Sequence, residues 1–406
     1  MSMYDVVPVS TNDYKKLAQK RLPNFLFDYI EGGANAEQTL RSNVADFDKY
    51  TLKQRVMRDV SEIDTSTTLF GESLSMPLAL APVGMAGLFA RRGEVMAAKA
   101  AENNAIPFTL STVAICSAEE IHAATKQPFW FQLYMLRDRG LVLDILNRAA
   151  LSGCNTLVFT VDLALPGMRL RDYRNGMLGN TVKGKISYLT QLLTRPGWLF
   201  DIGVMGKPHS LGNLTHQVKS ANDLNRYKAF VESQFDPSAT WKDIAWLRQN
   251  WHGNIIIKGI MDVNDAKAAI DSGADGIVIS NHGGRQLDGV SSTINKLPSI
   301  ANAVAGQTSI LLDGGIRNGV DVIKAIALGA NSVLIGRPWV YAMAAQGEAG
   351  INSLLSLFQQ EITSTMGLMG GNNIKDINID LIEQFNSHSD SVVSTVGHSA
   401  IHCGEN

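Results

Sequence analysis

Residues 276–289 read Gly-Ile-Val-Ile-Ser-Asn-His-Gly-Gly-Arg-Gln-Leu-Asp-Gly, an apolar run that passes directly into a glycine-rich polar loop. A short apolar run without alternating polar residues is typical of a strand buried on both faces, as in a parallel sheet. The loop combines His282, which exchanges protons near neutral pH, with the permanent cation of Arg285. An ordinary polar turn and an active-site loop are both compatible with this stretch alone.

Runs of the same kind recur along the chain and alternate with helical patterns. Strands are predicted at 77–82, 106–112, 129–134, 156–162, 254–259, 276–280, 309–313 and 332–336, with helices at 93–103, 118–124, 140–150, 241–251, 263–271 and 319–328. Eight βα units in succession predict an α/β fold of the (β/α)₈ TIM-barrel type. An open doubly wound sheet is the alternative, but the chain lacks the Gly-x-Gly of its dinucleotide-binding version.

The spacing of these units predicts one domain over residues 1–385, with the barrel core at about 77–345. A helical segment precedes the barrel, helices follow it, and a long inserted loop at about 177–238 follows strand 4. Residues 386–406 are rich in Ser, His and Asn and are predicted to form a flexible tail. The spacing of His398, His402 and Cys403 is compatible with a metal site, but we expect disorder there and no metal.

Composition excludes several functional classes. The 406 residues are 45% hydrophobic and 18% charged, which favours a large folded core over disorder. A net charge of −2 provides no basic field for nucleic acid. Three cysteines without close spacing indicate a reducing compartment and argue against disulfides or a zinc site. We expect no signal peptide and no membrane span, so the protein is predicted to be cytoplasmic or peripheral to a membrane.

The carboxyl ends of barrel strands meet at one face, where active sites of this fold lie. The predicted strand ends carry Ser111, Gln132, Tyr134, Thr160, Asp162, Lys258, His282, Arg285, Asp313, Gly314, Gly315, Arg317, Gly336 and Arg337. The last two strand ends combine glycines with arginines, a pattern that favours a bound phosphate. A buried ammonium at Lys258 requires an anionic or electron-rich partner, such as a flavin ring that accepts electrons. Together these features predict FMN as the cofactor.

The remaining polar residues suggest roles in acid–base chemistry and substrate binding. His282 is predicted to be the general base, and Asp162 to stabilise its charged form. Arg169 and Arg285 are predicted to hold a substrate carboxylate. The hydroxyl of Tyr134 can donate a hydrogen bond to the substrate. For Tyr29, at the end of a predicted helix, a packing role is the alternative.

Several motifs resemble those of the FMN-dependent α-hydroxy acid dehydrogenase and oxidase family. They are Ser280-Asn-His-Gly-Gly-Arg-Gln-Leu-Asp288, Phe131-Gln-Leu-Tyr134, Thr160-Val-Asp162 and Asp313-Gly-Gly315. The resemblance extends from about residue 10 to about residue 380, and within the family it is greatest to the bacterial enzymes that oxidise L-lactate for respiration. Supporting stretches are Phe25–Tyr29, Ala90–Val95 and Phe235–Asp243.

This resemblance implies the same fold and a set of residue roles. His282 would be the base, and Tyr29, Tyr134, Arg169 and Arg285 would contact the substrate. Ser111, Gln132, Thr160, Lys258 and the segment 313–337 would contact FMN. L-lactate would be the substrate, a quinone the electron acceptor and a homotetramer the assembly. Pro166 lies further after Asp162 than is usual in the family, so the loop that places Arg169 is expected to differ slightly.

The electron acceptor is not specified by these motifs. Gly84 is typical of the family's dehydrogenases, whereas its oxidases tend to have alanine at this position. In the inserted loop, Ile186, Leu189 and Leu193 share a helical face between basic residues, as in a helix lying at a membrane interface. The resemblance implies a peripheral location at the cytoplasmic side of the inner membrane. A lid over the barrel is the alternative for this helix. For the whole protein the alternatives are mandelate or glycolate as substrate, oxygen as acceptor, and a non-redox isomerase or binding protein.

Overall fold

A computed structural model describes residues 7–177, 182–207, 209–215, 230, 233–304 and 306–384. A closed parallel barrel lies at the centre. Its strands are β1 (Leu78–Leu80), β2 (Thr109–Ser111), β3 (Trp130–Tyr134), β4 (Thr156–Thr160), β5 (Asn254–Ile260), β6 (Gly276–Ile279), β7 (Ser309–Asp313) and β8 (Ser332–Ile335). Each strand pairs with its neighbours in the chain, β8 pairs with β1, and a bridge between Leu80 and Phe108 joins β1 to β2. The predicted (β/α)₈ barrel is confirmed.

Helices surround the barrel and extend it at both ends of the chain. They are α1 (Thr11–Arg21), α2 (Asn24–Glu31), α3 (Gln38–Ala45), α4 (Gly93–Asn103), α5 (Ala118–Ala124), α6 (Arg139–Leu151), α7 (Leu170–Arg174), α8 (Val182–Leu193), α9 (Pro196–Trp198), α10 (Trp241–Asn250), α11 (Val263–Asp271), α12 (Thr293–Val304), α13 (Gly319–Ala327) and α14 (Arg337–Met369). Non-helical dihedrals at Gln346 and Gly347 divide α14 into the last barrel helix and a C-terminal helix.

The continuous apolar strands follow from packing on both faces. In β6, Ile277 and Ile279 pack outward against the helices, whereas Val278 belongs to a separate cluster inside the barrel with Trp130 and Leu311. Since successive side chains of a strand point to opposite faces, both sets must be apolar. This is why the sequence shows runs rather than alternation.

A small hairpin closes the amino-terminal end of the barrel. Its strands, Thr67–Leu69 and Glu72–Leu74, flank Phe70, which packs edge-on against Trp130 with ring centroids 6.0 Å apart. A Cβ on Gly276 would lie 2.6 Å from the Phe70 ring, so only glycine fits where β6 begins. With this end filled, the carboxyl ends of the strands form the open mouth.

Some elements differ from the sequence prediction. Helix α12 was not predicted; Pro298 lies inside it, and proline usually interrupts a helix. Strand β2 is shorter than predicted because its pairing begins only after Pro107, which has no N–H to donate. The predicted flexible tail, including His398, His402 and Cys403, lies outside the described residues, as do residues 178–181 and 216–229 of the inserted loop.

Candidate active site

A large cavity of about 980 Å³ opens at the carboxyl ends of the strands. Predicted site residues that line it are Tyr29, Ser111, Gln132, Tyr134, Thr160, Arg169, Lys258, His282, Arg285, Asp313, Gly314, Gly315, Arg317, Gly336 and Arg337. Asp162 also belongs to the site, because its carboxylate hydrogen-bonds to His282. The structure therefore brings together the residues that the sequence analysis placed at separate strand ends.

The loop after β6 holds His282 in an unusual backbone conformation. Its φ is +57°, a left-handed value that is uncommon for residues other than glycine and often marks functional sites. Gly283 and Gly284 follow with φ of +63° and +75°. A Cβ on Gly284 would lie 2.6 Å from the backbone N of Leu40, and one on Gly283 would lie 2.7 Å from Arg337. The glycines are required because α3 and Arg337 approach the loop so closely.

The imidazole of His282 is oriented by Asp162. Its Nδ1 lies 2.8 Å from the Asp162 carboxylate, which leaves Nε2 for a substrate. Burial opposes ionisation of Asp162, but the nearby His282 and Lys258 outweigh it and lower the pKa of this carboxyl. An ionised Asp162 stabilises an imidazolium, so His282 is arranged to accept a proton.

A buried ion pair lies beside this base. The Nζ of Lys258 is 2.9 Å from Asp313 and donates to the Ser280 hydroxyl at 2.8 Å. Burial favours the neutral amine, but Asp313 and Asp162 outweigh it and raise the pKa of Lys258. The anionic partner expected for Lys258 is thus provided by the protein itself.

Three buried polar atoms around this pair have no hydrogen-bond partner in the described part of the chain. They are Nε2 of Gln132, Oγ1 of Thr160 and Oδ1 of Asp313. Leaving a buried polar group unpaired typically costs about 1–3 kcal/mol. All three residues line the cavity, so these atoms are available to a polar ligand at the bottom of the barrel mouth.

Two arginines flank the Tyr29 ring on the other side of the cavity. Their guanidinium carbons lie 5.4 Å (Arg169) and 4.9 Å (Arg285) from the ring centroid. Burial, and then the charge of Arg169, lower the pKa of Arg285 to about 10, which still leaves it charged at neutral pH. Such a pair of cations matches the charge of a carboxylate.

Arg169 and Arg285 are held by different partners. Nε of Arg169 donates to Asp172 at 2.9 Å, and Asp172 is almost fully buried. Arg285 donates to the carbonyls of Tyr29 and Gly32. The loop with the displaced Pro166 therefore still brings Arg169 to the cavity.

Comparison with known proteins agrees with this geometry. Residues 18–384 match the family model described as FMN-dependent dehydrogenase. The chain belongs to this family. It is 51% identical to an L-lactate dehydrogenase of Acinetobacter baylyi over 93% of this chain and 98% of the relative. It is 52% identical to an L-lactate dehydrogenase of Stenotrophomonas maltophilia over 92% of this chain and 98% of that protein.

Solved structures show the same architecture. One is described as the monotopic membrane protein (S)-mandelate dehydrogenase; it has a TM-score of 0.87 and 33% identity, over 94% of this chain and all of that one. A mandelate oxidase has a TM-score of 0.78 and 36% identity, over 93% of this chain and 98% of that one. The predicted family and its FMN cofactor are confirmed.

The residues at the barrel mouth fit the FMN of an FMN-dependent dehydrogenase. The unpaired donors of Gln132 and Thr160 would suit the polar edge of the flavin ring, and Lys258 would supply a cation to stabilise the negative charge of a reduced ring. Ser111 donates to Oε1 of Gln132 at 3.1 Å, which directs the Gln132 amide group toward the cavity. We assign these four residues to the ring as a proposal.

The residues predicted to bind the phosphate of FMN also fit that group. Gly314 and Gly315 have φ of +89° and +94°, and a Cβ on Gly315 would lie 1.8 Å from the Asn43 carbonyl oxygen. Gly336 precedes the first turn of α14, and helix amino termini favour anions. Arg337 also donates to the carbonyls of Ile30, Gly32 and Gly283. Arg317 is therefore the less constrained of the two proposed phosphate-binding arginines.

Two residues important to this site were missed by the sequence analysis. Asn43 exchanges reciprocal 2.8 Å hydrogen bonds with Asn281, which precedes the base. Asp172 holds Arg169, as described above. Asn43 lies in α3 and Asp172 in α7, outside the predicted barrel strands. The expectation that site residues follow the carboxyl ends of the strands therefore did not indicate either residue. A carboxylate three residues after an arginine in a short helix is a signal that would have pointed to Asp172.

Glu94 supports the cavity wall from behind. It lies in the first turn of α4 and accepts a hydrogen bond from the backbone N–H of Ile115 at 2.9 Å. This contact holds the loop after β2, whose Val113 lines the cavity. Burial raises the pKa of Glu94 more than the Ile115 N–H lowers it. Folding therefore favours the protonated, neutral form of the Glu94 carboxyl.

This shift predicts a pH-dependent stability. An acid with a raised folded-state pKa contributes stability that is complete below its ordinary pKa of 4.5 and is lost as pH rises through the folded-state pKa. Glu94→Gln is therefore expected to become more stable relative to the parent protein as pH increases. Thermal unfolding between about pH 5 and about pH 9 measures this difference. The exposed Glu62→Gln is the control, and a pH-independent difference for Glu94→Gln would contradict the prediction.

Proposed function

We propose that the protein oxidises L-lactate to pyruvate with bound FMN and passes the electrons to a respiratory quinone. The proposal depends above all on one arrangement: the His282–Asp162 pair and the two arginines around Tyr29 line the same cavity. A base close to a carboxylate-binding pair suits a 2-hydroxy acid. The names of the curated relatives favour lactate among such acids.

The residues divide the reaction between binding and proton transfer. Arg169 and Arg285 bind the substrate carboxylate, and the hydroxyls of Tyr29 and Tyr134 donate to its oxygen atoms. Burial, followed by the charges of Asp162 and Tyr29, raises the pKa of Tyr134, so it stays a proton donor. His282 Nε2 accepts the proton that the substrate loses, and Asp162 stabilises the resulting cation. When bound, FMN supplies a two-electron acceptor.

Anaerobic mixing of the yellow protein with L-lactate tests this function. We expect lactate to bleach the flavin absorbance, and a quinone analogue to restore it faster than oxygen does. Bleaching by mandelate or glycolate but not by lactate would overturn the substrate assignment. Faster recovery with oxygen would make the protein an oxidase, and absence of bleaching by any of these acids would favour a non-redox role.

The exposed face of α8 supports attachment to a membrane. Ile186, Leu189 and Leu193 are 59%, 57% and 66% exposed, and Phe200 is 65% exposed beyond the helix. The opposite face of α8 packs on the barrel mouth, where Tyr188 contacts Phe25 at a centroid distance of 4.6 Å. One helix can therefore serve as a lid and as an interfacial helix. No helix within the described ranges is long and apolar enough to span a bilayer.

Membrane attachment makes a testable prediction. Leu189→Glu combined with Leu193→Glu places two charges on the proposed membrane face and should move most of the protein from membrane pellet to supernatant, since burying charges in a bilayer interface is unfavourable. Co-sedimentation with vesicles of inner-membrane lipids measures this. Leu151→Glu, at an 85% exposed position of α6, is the matched control. Equal sedimentation of both variants would contradict attachment through α8.

From the family resemblance we also propose that the protein acts as a homotetramer and that it lies on the cytoplasmic side of the inner membrane. The reducing compartment indicated by its cysteines supports that side, since both described cysteines, Cys116 and Cys154, are buried free thiols. Light scattering of the purified holoenzyme tests the tetramer.

A further inference from the structure

The cavity continues beyond the flavin and lactate residues into an apolar compartment beneath α8. We call this the roof compartment; it is lined by Phe25, Tyr188, Leu192, Trp198, Leu199 and His209. None of these residues has been assigned a contact with FMN or lactate. A cavity of about 980 Å³ lies near the upper end of the usual range for ligand pockets.

Aromatic rings give the roof compartment a fixed shape. The Trp198 indole donates to the Leu88 carbonyl at 2.9 Å and packs edge-on against Phe25 at 6.3 Å. Tyr188 lies against the same Phe25 ring. Preformed aromatic walls with an apolar lining suit a planar, weakly polar ring rather than a small charged acid.

One polar group is available to such a ring. The Tyr188 hydroxyl has no hydrogen-bond partner among the residues that the structure describes, and it can donate to a carbonyl oxygen. His209 also lines the compartment, but its Nε2 lies 2.7 Å from the Ile202 carbonyl, to which it must donate. A ring that carries a carbonyl oxygen can accept the hydrogen bond from Tyr188.

The position of α8 connects this compartment with the proposed membrane face. Leu192 lines the cavity, whereas Leu189 and Leu193 on the same helix are exposed. The helix that would rest on lipid is therefore also the roof of the cavity. A lipid-soluble acceptor would have a short path from the bilayer to the barrel mouth.

From these observations we infer that the roof compartment binds the ring of the quinone acceptor, between Phe25, Tyr188 and Leu192. This inference rests on the proposed lactate oxidation. The electrons balance: L-lactate loses two electrons and two protons as its alcohol becomes the ketone of pyruvate. The quinone gains two electrons and two protons as its carbonyls become hydroxyls, and FMN, when bound, would supply the two-electron carrier between the two reactions.

Two tryptophan substitutions in α8, one at a residue that lines the cavity and one at an exposed residue, test this site. Leu192→Trp fills the compartment, and Leu189→Trp makes the same change on the exposed face. In the holoenzyme we measure flavin bleaching by L-lactate, its recovery with ubiquinone-1 and with the small hydrophilic oxidant ferricyanide, and ubiquinone-1 binding by calorimetry. Ubiquinone-1 has a short tail, so the assay needs no membrane.

We expect Leu192→Trp to weaken binding of ubiquinone-1 and raise its KM by about tenfold or more. A tenfold weaker affinity corresponds to a loss of only about 1.4 kcal/mol of binding free energy, which a steric clash readily causes. Bleaching by lactate and recovery with ferricyanide should change by less than about threefold. Leu189→Trp should match the parent protein in every measurement. If Leu192→Trp fails to fold, Leu192→Phe replaces it with the same expected direction.

The experiment distinguishes failure of the proposed quinone site from failure of the proposed lactate oxidation. Unchanged ubiquinone-1 kinetics and binding in a folded Leu192 variant that lactate still bleaches would exclude the roof compartment as the quinone site. Equal loss of ubiquinone-1 and ferricyanide reactivity would indicate a general disturbance of the cavity and would also overturn this assignment. A parent protein that lactate does not bleach would refute the proposed function itself.

Discussion

His282→Gln is expected to slow flavin bleaching by L-lactate by about 10²–10⁴-fold, the usual contribution of a general base. Glutamine retains hydrogen-bonding capacity but cannot accept the substrate proton, and it cannot form the cation that Asp162 stabilises at 2.8 Å. FMN should remain bound, because the unpaired donors of Gln132 and Thr160 are untouched. Anaerobic stopped-flow absorbance measures the rate directly.

His252→Gln is the matched control for this substitution. His252 is exposed after α10 and does not line the cavity, so its replacement should leave bleaching at the parent rate. A His282→Gln protein that keeps its flavin and is bleached at the parent rate would show that another group accepts the proton.

Arg285→Lys is expected to lower kcat/KM for L-lactate by about 10²–10³-fold, mainly through KM, since losing the geometry of a buried, hydrogen-bonded charge pair costs about 2–5 kcal/mol. Lysine carries the charge but not the planar fork that binds a carboxylate through two hydrogen bonds. It also cannot reproduce the contacts of Arg285 with both the Tyr29 ring and the Gly32 carbonyl. Steady-state kinetics with a soluble electron acceptor measures the change.

Arg171→Lys provides the control for the loss of a guanidinium. Arg171 pairs with Asp28 and Glu37 but does not line the cavity, so kcat/KM should change little. Equal effects of the two substitutions would mean that Arg285 acts through stability rather than through the substrate carboxylate.

The fold was predictable from the sequence because burial on both faces leaves a simple pattern. Each barrel strand packs inward and outward, as Val278 and Ile277 do, and each therefore appears as an uninterrupted apolar run. The strand-end residues of the site were predictable for a related reason, since the barrel must bring carboxyl ends together. Tyr29 was identified only through the family resemblance.

The remaining parts of the site depend on contacts that have no local pattern. Asn43 reaches Asn281 from a helix 238 positions earlier in the chain, and nothing in the residues around Asn43 indicates that distance. The need for glycine at positions 283 and 284 is a second example. In the structure, α3 and Arg337 are what approach them.

The guanidinium of Arg337 has a consequence for the order in which the protein can mature. It binds the carbonyl of Ile30, which the ribosome adds 307 residues earlier. During translation the contacts of the amino-terminal segment with Arg337 must therefore wait for almost the entire barrel. Such distant contacts form late in folding because loop closure must precede them. We expect the wall of the cavity to be incomplete in a nascent chain until Arg337 has left the ribosomal tunnel.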